Sequence, residues 1–325
     1  YEDGYKMLTT LPDSKRYLLV PEGQPVPRGL DEDVSILQEP LQNIYLVASG
    51  VMDMFASLDA VDQIRFSGQK QENWYIQTAK DAMEAGDMIY AGKYSKPDYE
   101  LLVSEDCDLA IENRMITHSP EVLEMLQSFD IPVMIEYSSY EKHPLGKVEW
   151  VKFFGALTGK EAEAEEAFAE QTEILEEVES GEKTGKTIAF FYVTSNGLIQ
   201  VRQSTDYIPK LIELAGGRYI FEDLEDSGSG RSTLNMQVED FYAGAKDADI
   251  LIYNSSIDGG VTTVDELIGK CNILKDFKAV QEGQVYCTTN DMYQQSMAIG
   301  YLLQDMHTVL TDDDTAKLRY LFLLQ

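Results

Sequence analysis

Residues 99–114 read YELLVSEDCDLAIENR, and residues 238–255 read VEDFYAGAKDADILIYNS. Each stretch places a glutamate early (Glu100, Glu239) and continues with a short amphipathic run. Each then gives an aspartate, an apolar burst and a polar pair, Asp108-Leu-Ala-Ile-Glu-Asn113 against Asp249-Ile-Leu-Ile-Tyr-Asn254. A helix leading into a buried strand is thus written twice, once in each half of the chain. Two similar lobes are the natural expectation.

The surroundings of both stretches fit that expectation. In the first half, residues 44–48 form a compact apolar strand. Residues 51–58 form a short helix with Met52, Phe55 and Leu58 along one side, and residues 64–66 a second strand. Ser119 and Pro120 open a helix whose Val122, Leu123, Leu126 and Phe129 are expected to face inward, and residues 130–135 return as a strand. In the second half, residues 187–193 are a strand, and the helix at 207–215 is stopped by Gly216-Gly217. Strands at 250–253 and 285–288 and an apolar helix at 297–310 follow. Short strands alternating with helices predict parallel sheets, because parallel neighbours need crossover connections.

Between the halves, residues 160–179 (KEAEAEEAFAEQTEILEEVE) contain no Pro or Gly and favour helix throughout. Ala164, Ala167, Phe168, Gln171, Leu175 and Val178 make one narrow stripe, and the other faces are acidic. The fold class expected is α/β: two Rossmann-like lobes with parallel-rich sheets joined by a single long α-helix. Residues 1–42 are a β-rich extension packed on the first lobe and 43–152 the N-terminal α/β lobe. Residues 153–181 form the linking helix region and 182–325 the C-terminal α/β lobe.

Bulk properties remove several function classes. A formal net charge of −31 over 325 residues sets the chain against nucleic acid and against anionic membrane faces. No apolar run approaches the roughly 18 residues of a membrane span. Cys107, Cys271 and Cys287 form no C-x-x-C pair and no zinc spacing, and a Cys271–Cys287 bridge stays open. No G-x-S-x-G, P-loop or H-E-x-x-H motif is present.

In open α/β sheets the ligand crevice lies beyond the carboxyl ends of the strands. The segments there supply Trp74, Arg114, Tyr140, Lys142 and His143 from the first half, and Arg202, Arg231, Asn254 and Tyr293 from the second. Cations in so acidic a chain fall in these loops, where guanidinium groups suit carboxylate or catecholate oxygens. Trp74, Tyr140, Tyr207 and Tyr293 could give flat walls. A bulky, anionic, partly aromatic ligand follows. His118 and His143 keep bare metal binding open as an alternative, while His307 reads as structural.

Three further segments, at 155–161 (GALTGKE), 211–217 (LIELAGG) and 276–286 (DFKAVQEGQVY), complete a pattern. With the paired glutamate units, the chain resembles the helix-linked substrate-binding proteins of ABC importers that carry ferric siderophores, haem or cobalamin. The resemblance runs from about residue 43 to the end. It implies that Glu100 and Glu239 dock onto arginines of an ABC importer permease. It also implies a ferric siderophore or tetrapyrrole ligand held in an interlobe cleft, no cofactor and no catalysis. The location implied is extracytoplasmic, periplasmic or as a cell-surface lipoprotein tethered by a lipid anchor upstream of Tyr1. A chelatase-like enzyme on two similar lobes is the remaining alternative.

Overall fold

The computed structural model describes residues 4–224, 232–255, 260–313 and 315–325. The chain divides into two compact units, Tyr1–Ser139 with Glu149–Phe168, and Tyr140–Val148 with Ala169–Gln325.

The first unit opens with strands β1 (Lys6–Thr10), β2 (Lys15–Val20) and β3 (Val34–Gln38). The middle strand β2 runs antiparallel to β1 and parallel to β3. This small sheet is fastened to its own unit by the Tyr17 hydroxyl, which donates to the Val133 carbonyl at 3.2 Å. Lys6 adds a bond to the Ala156 carbonyl at 3.0 Å and an ion pair with Glu161 at 2.9 Å.

The α/β series follows as β4 (Ile44–Leu46), α1 (Met52–Ser57), β5 (Ile64–Ser67), α2 (Gln77–Ala85) and β6 (Ile89–Tyr90). After the hairpin β7 (Gly92–Lys93) and β8 (Lys96–Pro97) come α3 (Tyr99–Ser104), β9 (Leu109–Asn113), α4 (Pro120–Ser128) and β10 (Val133–Glu136). The main sheet has the order β10-β9-β4-β5-β6, and every pairing in it is parallel. β4 is buried along its whole length, as a strand covered by helices on both faces must be.

Helices α5 (Pro144–Thr158) and α6 (Glu161–Glu179) come next, and the chain passes from the first unit into the second within α6. Ala164, Gln171, Leu175 and Val178 of the expected stripe are buried. Gln171 accepts a bond from the Gly300 N–H at 2.9 Å, and a Cβ at Gly300 would meet that same side-chain oxygen at 2.9 Å. A larger residue at 300 would have to push the Gln171 amide aside and break that bond.

The second unit contains β11 (Thr187–Val193), β12 (Ile199–Arg202), α7 (Tyr207–Leu214), β13 (Arg218–Tyr219), β14 (Thr233–Met236), α8 (Val238–Ala245) and β15 (Ile250–Tyr253). It ends with α9 (Val264–Lys270), α10 (Lys278–Gln281), β16 (Val285–Thr288), α11 (Ile299–Thr311) and β17 (Leu321–Leu323). The sheet order is β14-β12-β11-β15-β16-β17, with β13 beside β11. Its centre is parallel, but β12, β14 and β17 pair antiparallel at the margins. The reversal after β11 is a tight turn closed by Thr194 and Leu198, with Gly197 at φ 80°.

The echo in the sequence now has a structural cause. Asp108 Oδ2 accepts the backbone N–H groups of Gln42 and Asn43 at 2.9 and 2.8 Å, just before β4. Asp249 Oδ2 accepts the N–H and hydroxyl of Thr187 at 2.7 and 2.9 Å, at the start of β11. In each unit an aspartate entering one central strand clamps the beginning of its parallel neighbour. Phe129 departs from expectation. Its side chain is 44% exposed, because α4 buries Val122 and Leu126 and ends before residue 129.

Candidate functional site

Three of the residues predicted from separate loops meet in the second unit. Strands β12, β11, β15 and β16 are consecutive neighbours. β12 runs antiparallel to β11 with Val201 opposite Phe191, so Arg202, its last residue, lies beside Phe190 within the sheet, and the chain leaving β15 and β16 brings Asn254 and Tyr293 to it. Arg202, whose side chain is 11% exposed, donates through Nη2 to the Tyr293 hydroxyl and through Nη1 to Asp206 Oδ2 at 3.3 Å. Its guanidinium carbon lies 5.3 Å from the Tyr293 ring centroid and 5.9 Å from that of Phe190. Asn254 Nδ2 donates to the same Tyr293 hydroxyl at 2.9 Å. The Tyr219 hydroxyl donates to the Arg202 carbonyl at 2.8 Å, fixing the end of β12.

Asp206 has two duties. One oxygen faces Arg202, and the other caps α7 by accepting the Ile208 N–H at 3.0 Å. Burial pushes its carboxyl upward against the pull of Arg202. Burial likewise raises the Tyr293 phenol, while Arg202 and Asn254 act to lower it. The outcome is a neutral phenol whose oxygen receives two N–H donors.

Among the described residues, Asn254 Oδ1, both amide atoms of Gln203 and the Ser296 hydroxyl are buried without a hydrogen-bond partner. Such groups cost about 1–3 kcal/mol each when left alone, so they favour an arriving hydrogen-bonding molecule. A cavity of about 370 Å³ shares Asp206 and Tyr219 with the cluster and is lined also by Lys142, Ser204, Lys210 and Arg218. Its size is at the lower end of ligand pockets, which span about 300–1,000 Å³. Lys147, itself buried, lies 5.4 Å from the Tyr207 ring centroid.

The other predicted residues are placed differently. Trp74 is a correction: it is 1% exposed, and its indole N–H donates to Ser67 Oγ at 3.1 Å, so it offers no wall to a ligand. Tyr207, at 4% exposed, is also mostly enclosed. Arg114 is half-buried in a short 3₁₀ turn of the first unit. Tyr140 is 39% exposed, and Lys142 and His143 are exposed beside it. His143 Nδ1 accepts the Leu145 N–H at 3.2 Å in the first turn of α5. Arg231 lies outside the described residues. His307 Nδ1 bonds the Ala215 carbonyl at 2.9 Å, a structural contact. All three cysteines are free, and among the described residues no group of three or more His, Cys, Asp or Glu side chains converges.

Glu100 and Glu239 are both exposed in the first turns of α3 and α8. Asp206, Lys147 and Gln203 were not anticipated as members of the cluster. For Asp206 the signal was present, since it stands four residues after Arg202 and directly before a helix.

A pair of α/β units, one of them gathering Arg202, Asn254 and Tyr293 from neighbouring strands and loops, is an arrangement able to hold a solute. The chain belongs to the periplasmic binding protein family, whose sequence model matches residues 45–292. It is 25% identical over 314 residues to an uncharacterized lipoprotein of Methanocaldococcus jannaschii, covering 91% of this chain and 72% of that one. Among solved structures it is similar to a possible iron-binding, periplasmic solute-binding protein of Staphylococcus epidermidis. There the TM-score is 0.63 at 18% identity, over 83% of this chain and 98% of that one. A periplasmic haem-binding protein of Vibrio cholerae gives a TM-score of 0.65 at 15% identity, over 82% and 98%. The two-lobe binding-protein fold is therefore shared, and these relatives by fold are binding proteins.

Proposed function

We propose that this chain is the extracytoplasmic solute-binding component of an ABC importer and that its cargo is a ferric chelate of the siderophore type. The observation that carries the reading is the Arg202–Tyr293–Asn254 cluster with Asp206, gathered from β12 and from the chain after β15 and β16, together with amide and hydroxyl groups that have no hydrogen bond among the described residues. A phenol oxygen held by two N–H donors, next to groups that need hydrogen-bonding partners, suits the oxygen-rich shell of a chelate. A tetrapyrrole is the second reading, favoured by the likeness to the haem-binding protein of V. cholerae. The lipoprotein relative supports a lipid tether at an extracytoplasmic face.

Thermal-shift screening against ferric siderophores, haem, cobalamins and divalent metals tests the cargo. A true ligand at about 100 times its Kd adds about 2.7 kcal/mol of stability. A shift with haem alone would move the assignment to tetrapyrroles, and turnover of a metal–tetrapyrrole reaction would replace the binding reading with an enzyme. Glu100 and Glu239 are the proposed permease contacts. One exposed ion pair contributes about 0–1 kcal/mol, so two on separate units are needed to set register. Glu100→Arg with Glu239→Arg should abolish transport and leave cargo affinity nearly unchanged. An equal loss of cargo binding would remove both residues from docking.

A further inference from the structure

The two glutamates sit in unlike surroundings. Around Glu239, α8 exposes Asp240, Ala243 and Gly244, and among the described residues of the second unit only Tyr140 and Leu323 are large exposed apolar side chains. Around Glu100 the surface is apolar. Val103 is 45% exposed, Phe129 44% and Met125 43%. Tyr99 and Phe129 are in ring contact at 5.9 Å between centroids, which joins α3 to the end of α4. Val103 follows Tyr99 by one turn and Met125 precedes Phe129 by four residues, so the four side chains form one stripe across two helices.

Acids border the stripe. Glu100 lies three residues before Val103 on α3; burial raises the Tyr99 phenol, and Glu121 of α4, close to it, raises it further. Both carboxylates are exposed, and neither has an ion-pair partner among the described residues. Interior packing does not explain the stripe, since Leu102, Val122 and Leu126 already fill the core side of these helices. An apolar strip between unpaired anions is complementary to an apolar side chain flanked by arginine or lysine. A second copy of this chain would set carboxylate against carboxylate, and an anionic lipid surface would be repelled by the net charge of −31.

We infer that Val103, Tyr99, Phe129 and Met125 form the apolar half of a docking surface for an arginine-bearing, apolar segment of the importer permease. This inference rests on the importer reading proposed above. It makes the two contacts unequal: the first unit holds the permease by apolar burial as well as charge, the second by charge alone. Salt should therefore strip the contact at Glu239 and leave much of the contact at Glu100, because screening acts on exposed charges and not on buried apolar area.

The test uses the full chain and the permease of its own transport system, reconstituted in lipid nanodiscs, with binding measured at low and high salt. Val103→Gln with Phe129→Gln should weaken the complex about tenfold or more at both salt concentrations, the loss typical of truncating central interface side chains. What binding remains should vanish at high salt, while Glu239→Arg should leave a salt-resistant complex. Met125→Gln alone, at a helical position that tolerates glutamine, repeats the effect in smaller measure. Thermal unfolding and cargo affinity of each variant check that the fold is intact. Wild-type permease affinity for V103Q/F129Q, with binding lost in E100R/E239R, would overturn the apolar surface and leave the importer reading standing. No loss in either pair would overturn both. A wild-type dimer in sedimentation that V103Q/F129Q returns to monomer would assign the stripe to self-association instead.

Discussion

At position 112 the first unit places a carboxyl where its echo in the second unit places the phenol of Tyr253. Glu112 is fully buried, and among the described residues neither of its oxygens has a hydrogen-bond partner. Desolvation alone pushes its pKa to about 8. Tyr45 and Tyr99 are the groups that sense it electrostatically, and both are phenols raised by burial. In the unfolded chain a glutamate titrates near 4.3. The folded form thus prefers the protonated acid. That stability is fully present below about pH 4.3 and is lost as pH rises towards about 8, with a slope approaching 1.4 kcal/mol per pH unit. Glu112→Gln should flatten the pH dependence of the urea midpoint across that window by one proton. An unchanged slope would mean that the carboxyl has found a partner in solution. The sequence could name Arg202, Asn254 and Tyr293, because polar and aromatic residues in the short stretches that follow the expected strands have few places to go. It could not separate them from Trp74, since whether an indole faces a ligand or a Ser67 hydroxyl depends on packing that only the folded chain defines.

Elements were more legible than residues wherever one period dominated. Most of the parallel series of the first unit and the stripe of α6 were readable from apolar spacing, but α2 and the edge strand β6 were not. The antiparallel margins of the second sheet were not, because β12 and β14 are short, and their pairing is decided by the turn at residues 194–198. Helix α5 was missed for a different reason. It starts at Pro144-Leu-Gly146, which reads as a turn, although Val148, Val151, Phe154 and Leu157 then bury one face. The repeated aspartate was visible, but its purpose was not. Asp249 is partly desolvated, which acts against its charge, yet Lys278 at 2.6 Å and the two Thr187 donors outweigh this and hold its carboxyl below the ordinary range. Its contribution is therefore present above the unfolded value near pH 3.9 and is lost as pH falls below it. Asp249→Ala should cost about 1–3 kcal/mol at neutral pH, through donors at the start of β11 left without an acceptor. A urea midpoint equal to wild type would show that water replaces the clamp at no cost. Asp108→Ala should act in the same direction in the first unit, and the doubled cost would explain why the motif occurs twice.

For the whole molecule, the net charge of −31 bears most directly on how a charged cargo approaches. The sequence offers Arg202 as a cation for an anionic ligand, but in the fold it is engaged by Asp206 and Tyr293. Lys210 and Arg218 of the cavity wall are paired with Glu213 and Glu222, so the cations there do little against the field of a chain with net charge −31. That field extends about 30 Å at 0.01 M salt and about 8 Å at 0.15 M. An anionic ferric chelate approaching from solvent is repelled over most of the longer distance, while its final contacts are hydrogen bonds that salt hardly screens. The association rate should consequently rise with ionic strength, opposite to the usual steered encounter, and the dissociation rate should stay nearly constant. Stopped-flow measurement of the capture rate across that salt range distinguishes the cases. A rate that falls with salt would point to a cationic funnel, with Lys142, Lys210 and Arg218 of the cavity wall as its first candidates. A rate independent of salt would point to a neutral cargo, and the hydroxyl and amide groups around Tyr293 would then carry recognition alone.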